Sequence, residues 1–156
     1  MLTRFQYNHI INFLTSFEVL PQIPLDLQLR HYLKQHSAIG SKDRKIVGDL
    51  IYDLIRWRGL LDAHLSSPFT WGKRLELWMN TSQEELTSLS SLHPYEKVSF
   101  PQEFYDLFLS HRGKEMTDQF CLHSNFPAPL TVRTNLLKTT RTALFQSLSP
   151  RFTVSF

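Results

Sequence analysis

One uninterrupted stripe constrains this chain more than any other feature. Between Ser41 and Gly59, Ile46, Val47, Leu50, Ile51, Leu54 and Ile55 recur in adjacent pairs four residues apart. That spacing keeps all six on one face of a helix and scatters them over both faces of a strand. Ser41 suits the N-cap, Asp43 the positive helix end, and Gly59 the position just past the last turn. Six aliphatic side chains on one face need covering, so the rest of the chain has to supply further amphipathic helices.

It supplies them. Tyr7, Ile10, Ile11, Phe13, Leu14 and Phe17 predict a helix over roughly 4–18, broken by the Pro21 to Pro24 segment. Pro24 then opens a second helix through His36, with Leu25, Leu29, Tyr32 and Leu33 inward. Helical pieces follow over 60–65 and 71–79, and Ser82 with Glu85 forms a capping-box pattern opening a helix to about Leu92. After His93-Pro94, Pro101 starts a helix with Phe104, Leu107 and Phe108 inward, closing near Gly113. A last helix runs over 114–124.

The pattern changes at Phe126. PAPLTVRTN alternates apolar and polar residues, as does the final RFTVSF, and Thr139-Thr140 can cap a short helix between them through Leu148. The expected unit is β-α-β, with two parallel strands. Two strands rarely make a stable sheet, so the chain is expected to stop inside a domain. The predicted organisation is a helical domain over 1–98, connecting helices over 99–125 and an incomplete β-α-β segment over 126–156.

Charge separates the same regions. The 156 residues carry a net +3. Up to Asp118, 13 Lys and Arg face 14 Asp and Glu; from Gln119 onward Arg133, Lys138, Arg141 and Arg151 face no acid. The whole positive excess therefore lies in the tail, where phosphate contact is the natural use of it. Arg133 and Asn135 would project from one strand face as a donor-rich pair, although edge strands also carry cations simply to block aggregation. On the central helix, Lys45 can pair with Asp49, and Asp53 with Arg56. Lys42, Arg44 and Arg58 lack such partners in sequence, and Arg44 and Arg58 lie roughly 21 Å apart along one helix. They are the helical domain's candidate phosphate contacts, against the plainer reading of a solvated charged face.

Other chemistries find little. One cysteine, Cys121, excludes a disulfide framework and suits a reducing compartment, and the N-terminus has neither a secretory nor a membrane-spanning pattern, so a cytoplasmic protein is expected. Cys121 with His123 supplies two of the four ligands a zinc site needs, and no HExxH spacing occurs. The five glycines form neither GxGxxG nor a phosphate-binding loop. No catalytic, metal-binding or cofactor-binding residue is predicted.

Two stretches carry a resemblance. GSKDRKIVGDLIYDLIRWRGLLDAHL (40–65) resembles the central helix of the NusB-like RNA-binding domain, in the version that opens the RsmB (Fmu/Sun) methyltransferases. Ser41, Asp43, Arg44, Arg56, Leu61 and Asp62 hold that family's positions. FPQEFYDLF (100–108) and NFPAPLTVRTNLLKTTRTALFQSL (125–148) resemble the segment ahead of the family's catalytic domain, with Pro129, Arg133, Asn135, Lys138 and Arg141 in place.

The resemblance implies the RNA-binding, substrate-orienting front of an S-adenosylmethionine-dependent methyltransferase acting at cytosine C5 of small-subunit ribosomal RNA. It implies a Rossmann-like catalytic domain beyond these residues, carrying the cofactor and both catalytic cysteines. Cys121 matches neither of those cysteines. The stretch between Asp62 and Ser99 holds too few helical pieces for a full NusB-like second half, so the helical domain is expected to be abbreviated. A free-standing RNA-binding or antitermination module, and a structural interaction domain without RNA affinity, are the competing expectations.

Overall fold

The computed structural model describes residues 2–19, 22–126 and 131–150. They fall into two compact units, 1–126 and 127–156. The fold is mostly helical.

In the first unit, α1 (Arg4–Phe17) begins at a full capping box: Gln6 N donates to Thr3 Oγ1 and Thr3 N donates to Gln6 Oε1. Gln6 is itself buried, and its Nε2 donates to Asp43 Oδ1 at 2.7 Å, tying the start of α1 to the start of α3. α2 (Leu25–Gln35) lays Leu29 on α3 (Ser41–Arg56), where Gly48 leaves room for it. Val47, Ile51 and Leu54 of the stripe are fully buried against Ile10, Phe13 and Leu14 of α1. Gly40, rather than Ser41, is the N-cap of α3.

The end of α3 differs from the expectation. It stops at Trp57, and α4 (Arg58–His64) starts at once, so Gly59 lies inside a helix. Gly59 N and Leu60 N donate to Ser99 Oγ at 3.0 and 3.3 Å, so a hydroxyl forty residues away caps α4. A Cβ on Gly59 would lie 3.2 Å from that oxygen, tighter than an ordinary contact. Glycine is needed there for close approach, not for chain reversal. Ser99 holds a left-handed backbone, φ 51°, to deliver the hydroxyl.

α5 (Trp71–Asn80) adds Trp71 and Leu75 to the same core. α6 (Gln83–Ser88) opens on the expected Ser82–Glu85 capping box but ends four residues before Leu92, and α7 (Pro94–Lys97) is a single turn. α8 (Gln102–Ser124) folds back on itself at Gly113, whose φ of 73° and ψ of 169° no residue with a Cβ adopts cheaply. Tyr105 and Asp118 would stand roughly 20 Å apart on a straight helix; here Tyr105 Oη donates to Asp118 Oδ1 at 2.5 Å. Tyr105 and Cys121 are buried with Val98 in a second, smaller cluster. The inward reading of Phe104 and Leu107 is overturned: both are more than half exposed, because Tyr105 takes the inward position.

In the second unit α9 (Arg141–Leu148) opens as expected, Ala143 N donating to Thr140 Oγ1. Of the strand expected over PAPLTVRTN (127–135), residues 127–130 lie outside the described residues; 131–135 hold no strand and lead into a turn at 136–138, and no strand occurs among the described residues. The second expected strand, 151–156, lies outside the described residues.

Candidate functional site

The acid-free segment is organised by Asn135. Its side-chain Oδ1 accepts from Leu137 N at 3.0 Å, and its backbone carbonyl accepts from Lys138 N and Thr139 N. An asparagine that caps its own turn folds the chain sharply. Arg133 precedes this turn, Lys138 closes it, and Arg141 begins α9 three residues later. All three are exposed, and Arg133 and Lys138 make no ion pair among the described residues. Arg133, Asn135, Leu136 and Leu137 share one cavity wall, with Leu137 97% exposed beside the cations. The expectation that Arg133 and Asn135 form a donor pair on a strand face is corrected. The Asn135 Oδ1 accepts within the turn, while its amide NH2 keeps both donors.

The candidates of the first unit are more constrained. Lys42 is exposed and makes no ion pair among the described residues. Arg44 Nε donates to Ile39 O at 2.8 Å, closing the loop ahead of α3. Arg58 stands on α4, not on the central helix, so the two arginines do not share one helical rail. It lies 3.6 Å from both Glu18 and Asp62, with its guanidinium 5.4 Å from the centre of the Trp71 ring. The reading that Arg44 and Arg58 are without partners is therefore overturned. Those partners are Asp62 one turn along α4, Glu18 at the C-cap of α1 and the Ile39 carbonyl, none of which lies on α3. The pairs Lys45–Asp49 and Arg56–Asp53 do form, at 2.6 and 3.3 Å. Burial pushes the Asp53 carboxyl up, although Arg56 works against it.

Arg74 is the charged residue that sequence reasoning missed. Only 2% exposed, it lies 4.4 Å from the Trp71 ring centre and gives two hydrogen bonds to Asp62. Asp62 and Leu61, which carry the family resemblance, are thus occupied by ion pairing and by the core.

Around Cys121 the chemistry is that of a closed cluster. Burial, with Asp118 nearby, pushes the thiol up, which disfavours the thiolate a nucleophile needs. His123 donates from Nδ1 to Gln119 O. Burial also works to raise Asp118, but hydrogen bonds from Lys114 and Tyr105 outweigh it and hold the carboxyl below its ordinary range. Among the described residues no three His, Cys, Asp or Glu side chains gather into a metal-binding group, and no helix is long and apolar enough to cross a membrane. Comparison with family models, with curated proteins and with solved structures gave no match to this chain.

Proposed function

We propose that this chain is the RNA-contacting, substrate-orienting front of an RNA cytosine-C5 methyltransferase acting on small-subunit ribosomal RNA. One observation carries the reading: Arg133, Lys138 and Arg141 are exposed around the Asn135 turn in a segment that contains no carboxylate side chain. The first unit carries 14 Asp and Glu to its 13 Lys and Arg, whereas this segment carries no acid, so this is where a polyanion meets net positive charge and gains by displacing counterions. Such contacts fix the register of an RNA backbone without reading bases. The exposed Leu136 and Leu137 offer apolar surface beside the phosphate-binding groups.

NusB-like topology for the helical unit and a β-α-β continuation of the second unit belong to the same proposal. The described residues do not fit S-adenosylmethionine. Gly48, Gly59 and Gly72 lie within helices, Gly40 caps α3 and Gly113 is the α8 fold, leaving no glycine-rich turn between a strand and a helix. The cofactor and the methyl transfer belong to a domain outside these residues.

The test is the salt dependence of binding to a fluorescently labelled small-subunit rRNA hairpin, with the full chain. Replacing Arg133, Lys138 and Arg141 by alanine is expected to lower the log–log slope by about 2 to 3. An unchanged slope, or no binding at about 50 mM salt, overturns the proposal. A structural interaction domain is the second reading, favoured by the exposed apolar face of α8, where Phe104, Leu107, Met116 and Phe120 meet solvent. It predicts no RNA affinity at any salt concentration.

A further inference from the structure

α1 and α2 are joined by a cluster of rings that includes two imidazoles. His9 Nδ1 lies 2.8 Å from the Tyr32 hydroxyl, and its ring sits 5.3 Å from that of His36. His36 stacks on Tyr32 at 4.0 Å, and its Nδ1 donates to the Tyr32 carbonyl at 2.8 Å. Phe5 closes the other side of His9 at 4.5 Å. The His36 bond fixes the proton on Nδ1, so its free lone pair is on Nε2.

We propose that His9 and His36 form a pH-responsive clasp that holds α2 on α1 when at least one ring is neutral and releases it when both are protonated. One added proton is tolerated. On His36 it leaves the bond to the Tyr32 carbonyl intact and places a cation on the Tyr32 face. The second proton sets two cations about 5 Å apart in a partly buried site, where their repulsion disfavours the doubly charged state. Burial and the nearby His36 both act to lower the His9 pKa, in keeping with the geometry.

Carboxylates do little to relieve the pair. On α3 the nearest is Asp43, taken up by Gln6 Nε2, with Lys42 and Arg44 beside it. Arg44 is held at Ile39 O, three residues beyond His36. Arg4 on α1 and His31 and Lys34 on α2 add only positive or titratable nitrogen; Asp26 and Glu18 lie at the far ends of those helices. α5 approaches α1 at Tyr7, about 200° around the helix from His9, so Lys73, Arg74 and Glu76 face elsewhere. Release of α2 would uncover Phe13 and Leu29, which are buried in the closed state.

The test is amide hydrogen exchange of the full chain at pH 7.5 and 5.5, corrected for the intrinsic pH dependence of exchange. Amides of α2 at Leu29, Tyr32 and Leu33 are expected to exchange at least about tenfold faster at pH 5.5, the effect of roughly one pKa unit, while α4 and α5 stay protected. His36→Gln keeps a hydrogen-bonding amide and should abolish the acceleration; His9→Gln is the second variant should the first fold poorly. Equal α2 protection at both pH values overturns the proposal. So does acceleration that persists in either variant, or that spreads equally to α4 and α5.

Discussion

Arg74 and Asp62 meet across the α4–α5 connection as a two-point pair, Nε to Oδ1 at 2.6 Å and Nη2 to Oδ2 at 3.0 Å, with the arginine buried and the aspartate reaching solvent. Removing the aspartate strands a guanidinium that water cannot reach. Asp62→Ala is expected to cost about 3 kcal/mol in urea unfolding, and Arg74→Met less, since it removes the charge together with its need for a partner. A larger loss from Arg74→Met would show that stacking on Trp71, not charge compensation, is the main role of the pair.

Arg58 shares Asp62 and also reaches Glu18, so its replacement should register in stability rather than in nucleic-acid affinity. Arg58→Ala is expected to lower stability by about 0.5 to 1 kcal/mol, the usual range for exposed pairs. The salt slope of RNA binding should stay within error of the unaltered protein. A slope reduced by about one would return Arg58 to the phosphate-contacting set.

Gly113 offers a sharper backbone test. Nothing lies within 4 Å of a Cβ placed there, so sterics with the rest of the molecule are not at issue. Its φ of 73° is. Gly113→Ala should therefore destabilise by about 1 to 3 kcal/mol, against the gain that the same exchange gives in an ordinary helix. Thermal unfolding with equal midpoints would mean that α8 straightens without loss.

The Tyr105–Asp118 bond makes two pH limits. Burial, reinforced by the hydrogen bond to Asp118, holds the Tyr105 phenol well above its ordinary value. A raised phenol contributes stability that is complete below the unfolded value near pH 10 and is lost as pH rises through the folded one. Asp118, held low, contributes stability above the unfolded carboxylate value near 3.9 that is lost as pH falls through its folded value. Tyr105→Phe should flatten the alkaline limb of stability against pH above about 10 and shrink the acid limb. An unaltered alkaline limb would show that another group controls it.

Much of the helical unit could be read in advance because its signals are local. The stripe from Ile46 to Ile55, the Ser82–Glu85 box and the Thr140 cap each depend on residues within a few positions of one another. Gly59 misled because a helix-ending glycine and a close-approach glycine look alike until Ser99 is placed beside it. Arg74 was invisible for a related reason: its partner is twelve residues away on another helix, beyond any i,i+4 rule. Phe104, Leu107 and Phe108 do form a stripe, but periodicity says that a face exists, not what it meets. In the tail, the acid-free run was plain from composition, whereas the Asn135 turn, made by a side chain bonding its own backbone two residues on, is not revealed by alternation.

The Ser99 hydroxyl that closes the first turn of α4 is made forty residues after Gly59. At ordinary elongation rates, roughly 5 to 20 residues per second, the start of α4 waits several seconds on the ribosome with water in the place of its cap. Over that interval α1 has its capping box, and α1, α2 and α3 are complete and can pack. The first turn of α4 is thus completed only once Ser99 is in the chain.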